Sequence, residues 1–549
     1  MPPPTLRPYQ QEAIDAVLQA RRAGCQRMVV CLPTGAGKTV IFAQLARLAR
    51  RQVLVLAHRE ELLVQARDKL QAALGSDRLV AIEQGAQRAP ADAQVIVCSI
   101  RSLHEERLLR VIRGRDIGLV LYDECHHAVA EDNRRVLRQL GCFGKDWQGT
   151  LLGFTATTQR ADGIPLGDVF ERIVYFRGLA ELITAGWLVP LRGYRVATTA
   201  DLTSVTAGGL DFAEAELEEA VDIEERNALC ARSIQELARD RRTVAFCVTV
   251  RHAFHLAEAL RVLGVRAGVV HGEMPSDKRA EVLKMFRDDQ LQVLANVGVL
   301  TEGFDDPGVS CIAMARPTRS DGLYAQCVGR GTRLHPGKKD CLVLDFVDLS
   351  ALSLVSLPSL LGLPRGFDLQ GEDAVAAAQA WQRIQLDVPG LELEAGAITL
   401  QEIQQRAAHF DPLTLQVDPE VRAISPLGWA SLGSRGLALH FEPRAGQVAD
   451  ILVLSRGQRG KRWVVLWEGR EKARFSTLEE AVQAVDYEIE QRGAKTWHSA
   501  LPDAPWRRAP IGRELAAKVQ AVRTSRVAGN LGEALRLAVF AEVWSQPPD

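Results

Sequence analysis

Between residues 27 and 350, short β-branched runs alternate with longer amphipathic stretches, and no other feature limits the fold of this chain so strongly. The runs at 27–32, 53–57, 95–98, 118–122 and 151–154 are apolar almost throughout, which is the pattern of strands covered on both faces in a parallel sheet. Between them, 40–50 and 60–73 carry apolar residues at helical spacing. This is an α/β, doubly wound layout. A second series starts near residue 243, with strands expected at 243–248, 267–270, 292–295, 311–314 and 341–345. Two tandem α/β domains fit this better than one large sheet, and at 549 residues there is room for roughly three to four domains.

The boundaries follow from where the alternation stops. A first domain is expected over 1–190 and a second over 243–350, joined by 191–242, whose acidic run reads as a solvated helix face. Pro and Gly punctuate 351–420, a linker with short helices. Residues 421–549 read as a small α+β module, with strands at 437–441, 450–454 and 463–467 and a helix over 477–491.

Composition excludes several classes. The formal net charge of −1 offers no whole-chain attraction to a polyanion, so affinity for nucleic acid has to come from local patches. The ten cysteines, from Cys25 to Cys341, include no C-x-x-C pair, which is neither a disulfide framework nor a zinc spacing; reduced, buried thiols are expected. The N-terminus lacks the basic and then apolar run of a secretory signal. The longest uncharged apolar stretch, 349–364, is broken by serines and Pro358, too short a run for a membrane helix. The expectation is a soluble, cytoplasmic protein, nucleoid-associated in a bacterium, with no membrane partner.

Three stretches carry chemistry. Leu32-Pro33-Thr34-Gly35-Ala36-Gly37-Lys38-Thr39 follows the first strand and opens a helix. Glycines let backbone N–H groups fold around a phosphate, the helix N-terminus adds its positive end, Lys38 reaches the outer phosphates and the Thr39 hydroxyl suits magnesium. A chance glycine turn would satisfy this stretch alone, since the strict pattern has glycine where Leu32 stands. Asp123-Glu124-Cys125-His126 ends another strand of the same domain, where open parallel sheets place ligands. There Asp123 can hold magnesium and Glu124 can orient a water as general base. In the second domain, Gln326 to Arg333 sets Arg330 and Arg333 three apart, on one face of a helix. They suit a phosphate that arrives when the two domains close, or else form a solvated basic face.

This ordered set resembles the superfamily 2 helicases and translocases of the DEAD/DEAH type, most closely the bacterial group related to XPB and RadD, over about residues 5–350. The resemblance implies two tandem RecA-like domains forming a helicase core, with ATP and Mg2+ as cofactors. Arg7 and Gln10 in Leu6-Arg7-Pro8-Tyr9-Gln10 resemble the adenine-reading segment. Thr34, Gly35, Ala36, Gly37, Lys38 and Thr39 resemble motif I, and Asp123 and Glu124 motif II in its DECH form, with Thr39 and Asp123 on magnesium. His126, Thr155 and Thr157 resemble the residues that couple the nucleotide site to the nucleic-acid track. His58, Arg59, Ser99 and Arg101 in the first domain, and Thr249, His271 and Thr301 in the second, resemble nucleic-acid contacts. Gly303 and Asp305 resemble motif V residues facing the nucleotide, and Gln326, Arg330 and Arg333 motif VI with its arginine fingers. Two departures stand out: Thr158 replaces the usual proline, and no cysteine follows Cys341, so the zinc region of some relatives is not carried over.

The resemblance implies an enzyme, a nucleic-acid-stimulated ATPase that moves along DNA, with repair or recombination as its setting. An RNA helicase and a duplex-DNA translocase in a restriction or defence complex are the alternatives; a decayed ATPase is disfavoured because Lys38, Asp123, Glu124 and both arginines are present. His127 reads as a packing residue. In the C-terminal module Arg456, Arg459, Lys461 and Arg462 lie beside Trp463 and Trp467, and Arg492, Lys495, Arg507, Arg508, Arg513, Lys518, Arg523 and Arg526 surround Trp497 and Trp506. Either these grip DNA by neutralising phosphates and stacking on bases, or the indoles fill a core and the cations are solvated.

Overall fold

The computed structural model describes residues 6–545 except 58–60, 77, 157–165, 199, 204, 209–210, 302–303, 348–353, 365, 389–390, 392–397, 445, 457–461 and 521–526. The chain forms two compact units, Met1–Ala378 and Gln379–Asp549. The first unit opens with a seven-stranded sheet: β1 (Arg27–Cys31), β2 (Gln52–Ala57), β3 (Val80–Glu83), β4 (Val95–Ser99), β5 (Ile117–Asp123), β6 (Thr150–Thr155) and β7 (Arg172–Phe176). Their order is β3-β4-β2-β5-β6-β1-β7, and all neighbours are parallel. Every residue of β4 is buried, and β2 is buried from Val53 to Ala57, which is why these runs are apolar on both faces. One face packs Val29, Leu54, Leu56 and Tyr122 against Leu108, Val136 and Phe170. Each such side chain contributes about 1.5–3 kcal/mol when fully buried.

The order brings β1 and β5 to either side of β6, so the loops that leave their carboxyl ends face one another. Gly153 of β6 makes that approach possible: a Cβ there would lie 2.6 Å from Cys125 Sγ and from Phe170 Cζ. The turn after β5 therefore lies down onto β6.

A second sheet follows within the same unit. It comprises β8 (Leu191–Ala197), then, after a two-stranded ribbon of β9 (Ala207–Gly208) and β10 (Asp211–Phe212), β11 (Thr243–Phe246), β12 (Ala267–His271), β13 (Val293–Val297), β14 (Cys311–Met314) and β15 (Cys341–Val347). The order is β12-β13-β11-β14-β15-β8, again parallel throughout. Ala245, Cys247, Val293, Cys311 and Leu344 form its core with Leu256 and Leu260. Residues 191–242, expected as a connection, thus contribute to the second domain at both ends. β8 pairs with β15 along its whole length, and helix Glu224–Leu237 buries Cys230, Ala231 and Ile234 in that core. β8 escapes a reading of apolar runs because it is an edge strand, where Arg192 reaches Asp340 at 3.1 Å.

The second unit is built on an antiparallel meander, β16 (Ala430–Ser431), β17 (Gly436–Arg444), β18 (Gln447–Arg456), β19 (Arg462–Trp467) and β20 (Arg470–Phe475), paired in chain order. Side chains alternate along it. Leu437, Leu439, Phe441, Ile451 and Val453 meet helix Leu478–Gln491, which Thr477 caps, while Ala438, Leu452 and Leu454 meet Phe540 and Val543 of helix Leu531–Ser545. The indoles belong to these cores. Trp463, Trp467 and Trp497 pack into the first layer, and buried Trp506 donates its Nε1–H to the Ser499 carbonyl at 2.8 Å. Arg492 lies 3.9 Å above the Trp467 ring and Arg507 4.6 Å from that of Trp506. Of the two readings of these tryptophans, the packing favours core filling. Arg462, Lys495, Arg508, Arg513 and Lys518 remain exposed, and 457–461, 523 and 526 lie outside the described residues. Among the described residues no helix is long and apolar enough to cross a membrane, and no cluster of three or more His, Cys, Asp or Glu is arranged to hold a metal.

Candidate active site

The stretch between β1 and helix Lys38–Leu48 turns on two glycines, Gly35 at φ +88° and Gly37 at φ +77°, a region that side chains with a Cβ rarely adopt. The loop is gripped from the amino-terminal helix Pro8–Arg22. Tyr9 donates its hydroxyl to the Ala36 carbonyl at 2.6 Å, and Gln10 donates Nε2–H to the same oxygen at 3.2 Å. Gln10 Oε1 in turn accepts the Arg7 N–H at 3.0 Å, and the Arg7 guanidinium lies 5.3 Å from the Trp187 ring centre. Gln10 and Arg7 thus sit beside the loop, and their side chains hold protein groups. Tyr9 and Trp187 belong to this arrangement as well. Tyr9 was legible only as a neighbour of Gln10, and Trp187 carried no signal in the sequence.

Lys38 Nζ lies 3.1 Å from Glu124 Oε1, both side chains being largely buried. Glu124 occupies φ +50°, the left-handed region, which for a non-glycine residue costs of order 1–3 kcal/mol. Its N–H donates to Asp123 Oδ1 at 3.1 Å. Burial pushes Asp123 up to about 6, against the pull of Lys38. Burial also raises Glu124, but the charges of Lys38 and His126 and the Lys38 hydrogen bond outweigh it and leave this carboxyl below its ordinary value. Lys38 is lowered by burial and raised more by the two carboxylates, so it stays protonated. His126 Nδ1 stands 3.5 Å from Glu124 Oε2 and 3.3 Å from Thr155 Oγ1 at the end of β6. Thr34 Oγ1 is buried without a hydrogen-bond partner among the described residues, and Thr39 lies in the first turn of the helix.

The second domain closes against this loop. After helix Asp321–Val328, a Cβ on Gly329 would lie 2.5 Å from Thr34 Cβ, and a Cβ on Gly35 would lie 3.0 Å from Thr332 Oγ1 and 3.3 Å from Arg333 Cγ. Glycine on both sides lets the two segments meet. Arg330 is buried and donates to the Thr301 carbonyl at 2.6 and 3.2 Å and to the Phe304 carbonyl at 2.9 Å. Arg333 donates to the same Phe304 carbonyl at 3.1 Å and pairs with Asp305 Oδ1 at 2.9 Å. Gln326 is buried on the preceding helix. Burial raises the Asp305 carboxyl, but Arg333 and Lys69 outweigh it and hold it below the usual range.

Residues 4–160 match the family described as type III restriction enzyme, res subunit, and residues 225–335 match the helicase conserved C-terminal domain. The two matches cover the two parallel-sheet domains in order. In content and order these matches are consistent with a superfamily 2 helicase core. The chain is 34% identical over 385 residues to a protein of Saccharomyces cerevisiae named as an ATP-dependent helicase, IRC3, covering 68% of this chain and 55% of that one. It is 37% identical over 367 residues to the assigned mitochondrial ATP-dependent helicase irc3 of Schizosaccharomyces pombe, covering 65% and 60%. The chain thus spans less than two thirds of these relatives. A fragment of an assigned HsdR subunit of a type I restriction enzyme from Vibrio vulnificus shares the fold, with a TM-score of 0.51 at 23% identity over 65% of this chain and 67% of that one.

The remaining candidate residues that the structure describes lie at or just beyond the carboxyl ends of the parallel strands. Ser99 ends β4, buried, with its carbonyl accepting the Ser102 hydroxyl, and Arg101 is exposed in the turn that follows. Thr249 caps helix Val250–Val262 by accepting the His252 N–H at 3.2 Å, and its hydroxyl donates to Glu218. His271 ends β12, edge-on to the half-exposed Phe254 at 6.1 Å. Thr301 offers its carbonyl to Arg330 while its hydroxyl donates to the Gly298 carbonyl. His58, Arg59, Thr157 and Gly303 lie outside the described residues.

Proposed function

We propose that the chain is an ATP-dependent DNA helicase or translocase, hydrolysing ATP to ADP and phosphate between its two RecA-like domains. The observation that carries this reading is the meeting of three groups: the glycine loop with Lys38, the Asp123–Glu124 pair, and the segment from Gly329 to Arg333 seated on the loop. In this reading the loop N–H groups and Lys38 bind the phosphates, and Glu124 takes the proton of the attacking water. Arg330 and Arg333 stabilise charge on the transferring phosphoryl group, and Gln326 supports them. Thr39 and Asp123 fit Mg2+: a hydroxyl and a buried carboxylate whose charge lacks full compensation are the oxygen donors a hard dication takes. When bound, the ion neutralises phosphate charge. Arg7 and Gln10 lie at the edge of the loop where a purine ring would rest; Asp305 stands beside Arg333, and Gly303, outside the described residues, is assigned to the nucleotide by the resemblance alone.

His126 joined to Thr155 is the route by which the phosphate site reaches the strand ends, where Ser99, Arg101, Thr249, His271 and Thr301 are assigned to the nucleic acid; His58, Arg59 and Thr157, outside the described residues, are assigned to the same track or its coupling by the resemblance. DNA is the substrate we favour, in repair or recombination, with protein partners of that setting. The match to a restriction-enzyme family supports a second reading, a duplex-DNA translocase within a defence complex. None of the ten cysteines is held in a disulfide and nine are buried, which suits a reducing compartment such as the cytoplasm. The test compares ATP turnover without nucleic acid and with DNA or RNA of equal length. Stimulation by DNA supports the reading, stimulation by RNA alone selects an RNA helicase, and no turnover under any condition overturns it.

A further inference from the structure

Asp305 joins two cations that belong to different domains. Its Oδ1 faces Arg333 at 2.9 Å, and its Oδ2 is hydrogen-bonded to Lys69 Nζ. Lys69 lies on helix Glu61–Leu74 of the first domain, beyond every motif recognised in the sequence, whereas Asp305 and Arg333 belong to the second. The stem of Arg333 rests on Gly35 of the phosphate loop. A chain of Lys69, Asp305 and Arg333 therefore crosses between the domains and ends at the loop.

We infer that Lys69 is a positioning residue that ties the arrival of the second domain to the aim of Arg333. This rests on the proposed ATP turnover. A carboxylate bound through one oxygen can rotate about its Cβ–Cγ bond, and its partner then loses a fixed direction. Lys69 occupies the second oxygen and removes that freedom, so Oδ1 stays turned to Arg333. The Phe304 carbonyl, shared by Arg330 and Arg333, fixes the other side of the same guanidinium. Lys69 is supplied by the opposite domain and completes the arrangement only in the closed form. The arginine is thus held in its working direction when the domains are together, and when they part the Asp305 carboxylate regains its rotation and the aim loosens. Lys69 touches neither the loop nor the carboxylate pair that bind the nucleotide, so its contribution belongs to turnover and not to ATP binding.

The test measures ATP turnover of the full chain at saturating DNA for wild type, Lys69→Ala, Lys69→Arg and Lys69→Glu. Lys69 is half exposed, so its ion pair sets the scale of the effect. We expect Lys69→Ala to lower kcat about threefold to fivefold with KM for ATP unchanged, Lys69→Arg to restore most of it, and Lys69→Glu to lose more than alanine. Raising salt from about 0.05 to 0.5 M should shrink the gap between wild type and Lys69→Ala, because screening weakens an exposed pair. Equal kcat in wild type and Lys69→Ala, or a loss that Lys69→Arg fails to restore, overturns the inference. A wild type that turns over no ATP instead overturns the functional reading beneath it, so the two failures are distinct.

Discussion

Glu124 combines a strained backbone with a carboxylate held charged by Lys38, an arrangement that serves a base better than it serves stability. Glu124→Gln keeps shape and bonding capacity but cannot take a proton. It should lower kcat by about 10²- to 10⁴-fold while a fluorescent ATP analogue still binds. Lys38→Ala leaves Glu124 and Asp123 as unneutralised buried carboxylates and should abolish both turnover and tight nucleotide binding in the same assays. That these residues would come together was legible in the sequence because each follows a strand of the same domain and phosphate chemistry admits few residue types. Their supports were not. Tyr9 on Ala36, Arg7 on Trp187 and Lys69 on Asp305 depend on positions far apart in the chain, and nothing in a local window distinguishes Lys69 from an ordinary solvated lysine.

At the level of the element, doubly buried strands announced themselves and most edge strands did not; β12, an edge strand buried from Ala267 to Val270, is the exception. β2, β4 and β5 are apolar runs, but β7 and β8 carry arginines among their apolar residues, and β20 reads Arg470-Glu471-Lys472-Ala473-Arg474-Phe475. An edge strand needs only one paired side and one covered face, so its sequence lacks the doubly apolar mark. The tryptophans of the second unit show the opposite difficulty: their basic neighbours left a binding surface and a filled core equally open, and the indoles sit inside with cations laid over the rings of Trp467 and Trp506. Trp467→Ala should destabilise the second unit by about 3–5 kcal/mol in chemical denaturation. Trp467→Phe should keep the fold and leave affinity for single-stranded DNA within about twofold, where a stacking indole would have lost 1–3 kcal/mol.

For the whole molecule, two buried histidines set a response to acid. Burial, helped by Arg507 and Arg536, pushes His440 of the second unit down to about 3, and burial with the Arg226 charge does the same for His252 of the first. Above the ordinary histidine value neither native nor unfolded chain holds the proton, and the neutral rings add no penalty. Between about 6.5 and 3 the unfolded chain takes a proton that the native one refuses, so stability falls as pH falls. Asp486, pushed up to about 6 by burial, acts in the other sense, which is why the comparison has to be differential. Both ring nitrogens of His440 lack partners among the described residues. His440→Leu should therefore match or exceed wild type in melting temperature at pH 7.5 and pull steadily ahead as pH is lowered to 4.5; parallel curves would show that the ring is protonated in the native state. The grip of Tyr9 and Gln10 on Ala36 bears on the whole molecule in another way. A loop held by the amino-terminal helix has surrendered its disorder before any ligand arrives, and ordering a free backbone costs about 1–2 kcal/mol for each residue. That cost was met when the chain folded, so more of the energy gained on capturing a phosphate is left to draw the second domain inward.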